Sequence, residues 1–102
     1  MIGVFVTFTF PHALDAAALR AIARQAVDRF TDLSGLRSKV FTLNESQRQA
    51  TNFYIWEDEA VARSFFTSDF AERVARLYGA QPAISFVEIA ALVDNARPAR
   101  SA

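Results

Sequence analysis

Asn52, Tyr54 and Trp56 stand two residues apart in the run "TNFYIWEDEA", and each carries a hydrogen it can give to a ligand: an amide N–H, a phenol O–H and an indole N–H. At that spacing the three share one face if the run is a β-strand. Donors gathered on an otherwise apolar face are suited to holding an oxygen atom in a dry cavity. The same trio could equally be packing, with Trp and Tyr as core or interface aromatics. Lys39, in "LRSKVFTL", is the other charge of interest. Turned under helices it could meet an anionic substrate or Glu57; turned outward it would guard a sheet edge. The single histidine, His12, follows Pro11 in a turn and reads as solvated. No His/Asp/Glu cluster has metal-ligand spacing, and three glycines form no phosphate-binding loop. The expectation is no metal and no flavin, nicotinamide or nucleotide cofactor.

Strand and helix periods show what must position these residues. Ile2 to Phe10 reads as a first strand, with Ile2, Val4, Val6, Phe8 and Phe10 on one face, ended by Pro11. Asp15 is a natural N-cap for "AAALRAIARQAVDRF", whose Leu19, Ile22, Ala23, Ala26, Phe30 and Leu33 recur at helical spacing. Arg20, Arg24 and Arg29 on this helix read as solvated charge, and the helix is expected to end near Ser34-Gly35. Leu36 to Leu43 is a polar second strand, "NESQRQA" a hairpin loop, and about Asn52 to Glu57 a third strand. Asp58 caps "EAVARSFF". After a break at "TSD", Asp69 with Glu72 has capping-box spacing for a helix whose stripe is Phe70, Val74, Leu77 and Tyr78, closed by Gly79. Ile84 to Val93 is the fourth strand, and residues 95–102 form a polar tail expected to be frayed. The order β-α-β-β-α-β over residues 1–94 predicts one ferredoxin-like α+β domain with a four-stranded antiparallel sheet. Strands one and three, the most apolar pair, should be central.

The 102 residues are 52% hydrophobic and 22% charged, which is globular composition. Eleven basic and eleven acidic residues cancel, and no basic stripe suggests nucleic acid. There is no cysteine, the N-terminal apolar run lacks signal-peptide features, and no run approaches the roughly 20 apolar residues of a membrane helix. The expectation is a soluble, cytoplasmic protein. Phe53 and Ile55 face away from Asn52, Tyr54 and Trp56, so the third strand is apolar on both sides. A sheet of four strands is roughly 19 Å wide and a helix about 10 Å, so the helices shield one face only. A second copy stacked about 10 Å away would cover the other, which predicts a homodimer through the sheet face.

The run "GLRSKVFTLNESQRQATNFYIWEDEAVARSFFTSDFAERVARLYGAQPAISFVEI" resembles the YdhR-type family of mono-oxygenases. Gly35, Leu36 and Lys39, then Asn44 and Glu45, then Tyr54, Trp56 and Glu57 occupy that family's strand, hairpin and acidic-turn positions. The resemblance implies the dimeric α+β barrel superfamily, to which antibiotic-biosynthesis monooxygenases also belong. Asn52 and Trp56 look like the Asn/Trp pair with which cofactor-independent, quinone-forming members hold a substrate oxygen. Arg76 could fill the role of their arginine, whereas Ala62 stands where they carry a tyrosine. Phe66 stands where haem-degrading members place a histidine. The resemblance thus implies a cofactor-independent monooxygenase of a small hydrophobic or aromatic compound. Asn52, Trp56 and Arg76 would be catalytic, and Phe8, Lys39 and Tyr54 would bind substrate. The alternative is a non-catalytic dimeric module that binds a small ligand or another protein.

Overall fold

A computed structural model describes residues 1–95 of the chain. Seven elements follow in order: β1 (Ile2–Thr9), α1 (Ala16–Phe30), β2 (Leu36–Asn44), β3 (Gln49–Trp56), α2 (Glu59–Phe65), α3 (Ser68–Tyr78) and β4 (Pro82–Glu88). The strands form one antiparallel sheet in the order β2-β3-β1-β4, so the two most apolar strands are central. This is the ferredoxin-like α+β arrangement. Ile2, Val4 and Val6 of β1 lie opposite Trp56, Tyr54 and Asn52 of β3, and all six side chains are buried under the helices. Trp56, Tyr54 and Phe8 are the largest fully buried side chains, and burial of each is worth roughly 1.5–3 kcal/mol or more.

Strand parity alone would put Leu36 and Lys39 on opposite faces. A bulge between Leu36 and Ser38 changes that: Leu36 pairs with Trp56, Ser38 with Ile55 and Lys39 with Tyr54. Leu36, Lys39, Phe41 and Leu43 therefore share the helix side, and the looped-out Arg37 reaches Glu57 at 3.5 Å. Lys39 is thus turned under the helices, and Glu57 is taken by a different cation.

β3 starts at Gln49, earlier than the sequence expectation, because Gln49 and Ala50 pair with Thr9 and Phe8, and α1, α3 and β4 also have ends that differ from it. α1 stops at Phe30, because Thr31 turns extended while its hydroxyl donates to the Val27 carbonyl at 2.8 Å. Gly35 does adopt the left-handed region, at φ 84°, but in the turn into β2, where a Cβ would sit 2.8 Å from Val61. α3 is capped by Thr67, whose hydroxyl oxygen accepts from the Phe70 N–H at 3.1 Å, so Asp69 lies inside the first turn. β4 ends at Glu88 because its partner β1 begins at Ile2, the residue opposite. Beyond it Ile89 folds over Gly3, where any side chain would collide with Ile89, Phe53 and Val87.

The helices pack on one side of the sheet, α1 against β2, α2 against β1 and β3, and α3 against β4. On the far side Phe5 and Phe53 lie with ring centroids 4.5 Å apart, and Val40 is 52% exposed. Among the described residues no helix is long and apolar enough to cross a membrane. Most of the 95–102 tail lies outside the described residues.

Candidate active site

Because α1 and α3 sit over opposite edges of the sheet, a cavity of about 550 Å³ remains between them. Its floor is Phe8 of β1, Lys39 and Phe41 of β2, and Asn52 and Tyr54 of β3. Ile22, Ala26 and Phe30 form the α1 wall; Val74, Leu77 and Tyr78 form the α3 wall. Size and lining fit a small aromatic ligand: mostly apolar surface with a few polar groups.

Asn52 is the one buried polar residue of the described core. Its Nδ2 donates to the Tyr78 hydroxyl oxygen at 3.1 Å, and the Tyr78 ring stacks on Phe8 at 3.9 Å, tilted by 4°. The second amide hydrogen of Asn52 and the hydroxyl hydrogen of Tyr78 stay available. Burial raises the pKa of Tyr54, with Tyr78 adding to the effect and Arg73 opposing it. Burial also raises Tyr78, against the hydrogen bond from Asn52 and the nearby Arg29. Both phenols therefore remain protonated donors at neutral pH.

The Lys39 amine lies 3.4 Å from the centroid of the Phe30 ring and 4.3 Å from those of Phe41 and Tyr54. It has no hydrogen bond or ion pair among the described residues. Burial, reinforced by the Arg29 guanidinium, brings its pKa down to about 7. The ring faces favour the cation and oppose that shift, so ammonium and amine are close in free energy at neutral pH.

Of the residues singled out in the sequence, Asn52, Tyr54, Lys39 and Phe8 meet at this cavity. Trp56 and Arg76 are not among its lining residues. Trp56 is buried behind it, its ring 5.1 Å from that of Phe65, and its Nε1 has no hydrogen-bond partner among the described residues. Arg76 is exposed in the last turn of α3. Tyr78, Arg73 and Arg29 line the cavity without having been assigned to it from sequence. The signal was present: Arg73 falls within the stripe Phe70, Val74, Leu77, and Arg29 within Ile22, Ala26, Leu33. His12 is exposed, its Nδ1 2.9 Å from the Ala13 carbonyl. Among the described residues no three His, Cys, Asp or Glu side chains could hold a metal together.

The fold and cavity define a small α+β domain with a donor-bearing aromatic chamber between sheet and helices. Residues 4–89 match the family profile described as "Putative mono-oxygenase ydhR", and the chain belongs to that family. Among curated proteins none matches. Among solved structures, a protein of unknown function from Nitrosomonas europaea, NE2512, is 22% identical with a TM-score of 0.68, over 94% of this chain and 95% of that one. The monooxygenase from the gene ActVA-Orf6 of Streptomyces coelicolor, solved with the ligand nanaomycin D, is 17% identical with a TM-score of 0.65, over 92% of each chain. SnoaB, a cofactor-independent oxygenase from Streptomyces nogalater, is 14% identical with a TM-score of 0.61, over 90% of this chain and 95% of that one. These likenesses establish the shared fold.

Proposed function

We propose that the protein is a cofactor-independent monooxygenase of a small aromatic phenol or quinol, working as a homodimer in a reducing cytoplasm. The observation that carries this reading is the half-buried Asn52–Tyr78 hydrogen bond in the wall of an otherwise largely apolar cavity. A phenol reacts with O₂ through its anion, and the anion needs donors where water is scarce. Asn52, Tyr78 and Tyr54 supply an amide hydrogen and two hydroxyl hydrogens at that place. In the overall reaction a phenol and O₂ give a quinone and water, or a quinol and O₂ give a hydroxyquinone and water, with one oxygen atom of O₂ in the product; the substrate itself provides the electrons, so no flavin is required. Phe41 provides flat surface for the substrate ring, and the fully buried Phe8 backs Tyr78 by stacking. Trp56, with its indole N–H enclosed, backs Tyr54 by parallel stacking at 6.0 Å and acts as support. Arg73, one turn before Arg76 on α3, faces the cavity and takes the arginine role. That one structural neighbour is a cofactor-independent oxygenase agrees with this reading.

The bare sheet face supports the homodimer. Phe5, Phe53 and Val40 on that side form part of an apolar surface of the kind monomers rarely leave uncovered.

Oxygen uptake with a panel of phenols and quinols tests the chemistry. Tyr78→Phe keeps the ring stacked on Phe8 and removes one donor. It should lower kcat/KM for the best substrate about 100- to 1,000-fold, in line with losing a single oxyanion donor. Unchanged turnover in that variant would remove the Asn52–Tyr78 pair from the mechanism.

A further inference from the structure

The cavity holds an imbalance of charge. Lys39, Arg29 and Arg73 line it, and among the described residues no carboxylate does. The guanidiniums belong to exposed residues on α1 and α3, whereas Lys39 comes from the sheet and its amine ends among three ring faces. Asp32 and Arg37 border an adjoining cavity of about 300 Å³ that shares Phe30, Lys39 and Phe41 with the main one, and Asp32 makes no ion pair with Lys39. The titratable groups facing the amine across the main cavity are the two arginines and the hydroxyls of Tyr54 and Tyr78.

A half-buried ammonium without a counterion carries a cost, and two things relieve it: loss of the proton or arrival of an anion. The rings of Phe30, Phe41 and Tyr54 offset part of that cost but provide no hydrogen-bond acceptor. The amine thus keeps its donors unspent beside an aromatic chamber large enough for a fused-ring ligand.

We propose that this cavity takes its ligand as an aromatic oxyanion, with the negative oxygen set against the Lys39 amine and the Arg29 and Arg73 guanidiniums framing the site. This rests on the same cavity as the monooxygenase reading and narrows its substrate class. Carboxylate and phenolate oxygens share the required chemistry. Burial favours the neutral amine and the three ring faces favour the ammonium, so in the free protein Lys39 is divided between the two forms near neutral pH. Binding an anion favours the ammonium, so the complex takes up part of a proton from solution.

The test is a binding measurement and needs no turnover. Calorimetry of 2-naphthoate and its neutral analogue 2-naphthamide, at pH 8 in buffers of different ionisation enthalpy, gives affinity and proton uptake together. The carboxylate should bind at least tenfold tighter than the amide, with a net uptake of protons. Lys39→Met, which keeps the length and apolar stem, should abolish the preference and the uptake. A 2-naphthol arm separates the sources: a phenolate absorbance band on binding identifies a phenol site, and its absence with tight naphthoate binding identifies a carboxylate site. Equal affinity for acid and amide, or no binding of any probe, would overturn the proposal. The wild-type arms decide it even if the variant fails to fold. Oxygen consumption without anion preference would leave the monooxygenase reading standing and sink only this one.

Discussion

Replacing Lys39 by Met should change how stability depends on pH, and the size follows from the position of the amine. In the unfolded chain a lysine titrates near 10.4; in the fold Lys39 titrates at about 7. Between those values the unfolded state binds more protons than the native state, so stability rises with pH. The full benefit of the neutral amine is present above about pH 10.4, and it is lost progressively as pH falls to 7. One site contributes a slope of up to about 1.4 kcal/mol per pH unit inside that window. From pH 7.5 to 9.5 the limit is roughly 2.7 kcal/mol, and attraction of the cation to Phe30, Phe41 and Tyr54 reduces it to about 1–2 kcal/mol. Urea unfolding of wild type and Lys39→Met at both pH values isolates this contribution, because every other titrating group cancels in the difference between the two proteins. As pH falls from 9.5 to 7.5 the wild type should lose about 1–2 kcal/mol relative to the variant. Parallel pH profiles for the two proteins, or a gain by the wild type, would refute the reasoning about Lys39.

Two further outcomes follow from the packing. Phe53→Arg places a charge in the centre of the bare sheet face, and sedimentation at micromolar concentration should show a dimeric wild type and a monomeric, folded variant; a monomeric wild type would contradict the stacked-sheet assembly. Trp56→Phe removes an enclosed N–H that has no partner among the described residues, so the donor relieved partly offsets the volume lost, and stability should fall by no more than about 2 kcal/mol. Turnover of that variant should stay within about threefold of wild type, and a loss of about 100-fold would put the indole in direct contact with the reacting atoms.

Alternation was enough to place Asn52, Tyr54 and Phe8 on one face, because β1 and β3 are regular and paired residue by residue. Lys39 could not be oriented that way, since the bulge at Arg37 resets the parity of β2 and no composition signal marks it. The end of β4 was hidden for a different reason. Ala90 to Val93 continues the apolar run of the strand, but a ladder extends only as far as its partner, and β1 starts at Ile2. Thr67, Ser68 and Asp69 are three good capping residues in a row, and only the backbone decides that Thr67 serves. Arg29 reads as solvated and Arg73 carries no mark of its own in the sequence, because long cationic side chains are usually outside. Both sit on the apolar stripe of their helix, which is the position from which an exposed arginine can still line a cavity.

The most direct test of the central claim, that this chamber carries out oxygenation of an aromatic compound unaided by a cofactor, is isotope incorporation. Purified protein free of flavin and metal would be supplied with ¹⁸O₂ and the best quinol or phenol from the uptake panel, and the product weighed by mass spectrometry. The account predicts one labelled oxygen per product molecule, diminished in rate by Tyr78→Phe. Product formed without label, or labelled at the same rate when that hydroxyl is gone, would contradict it.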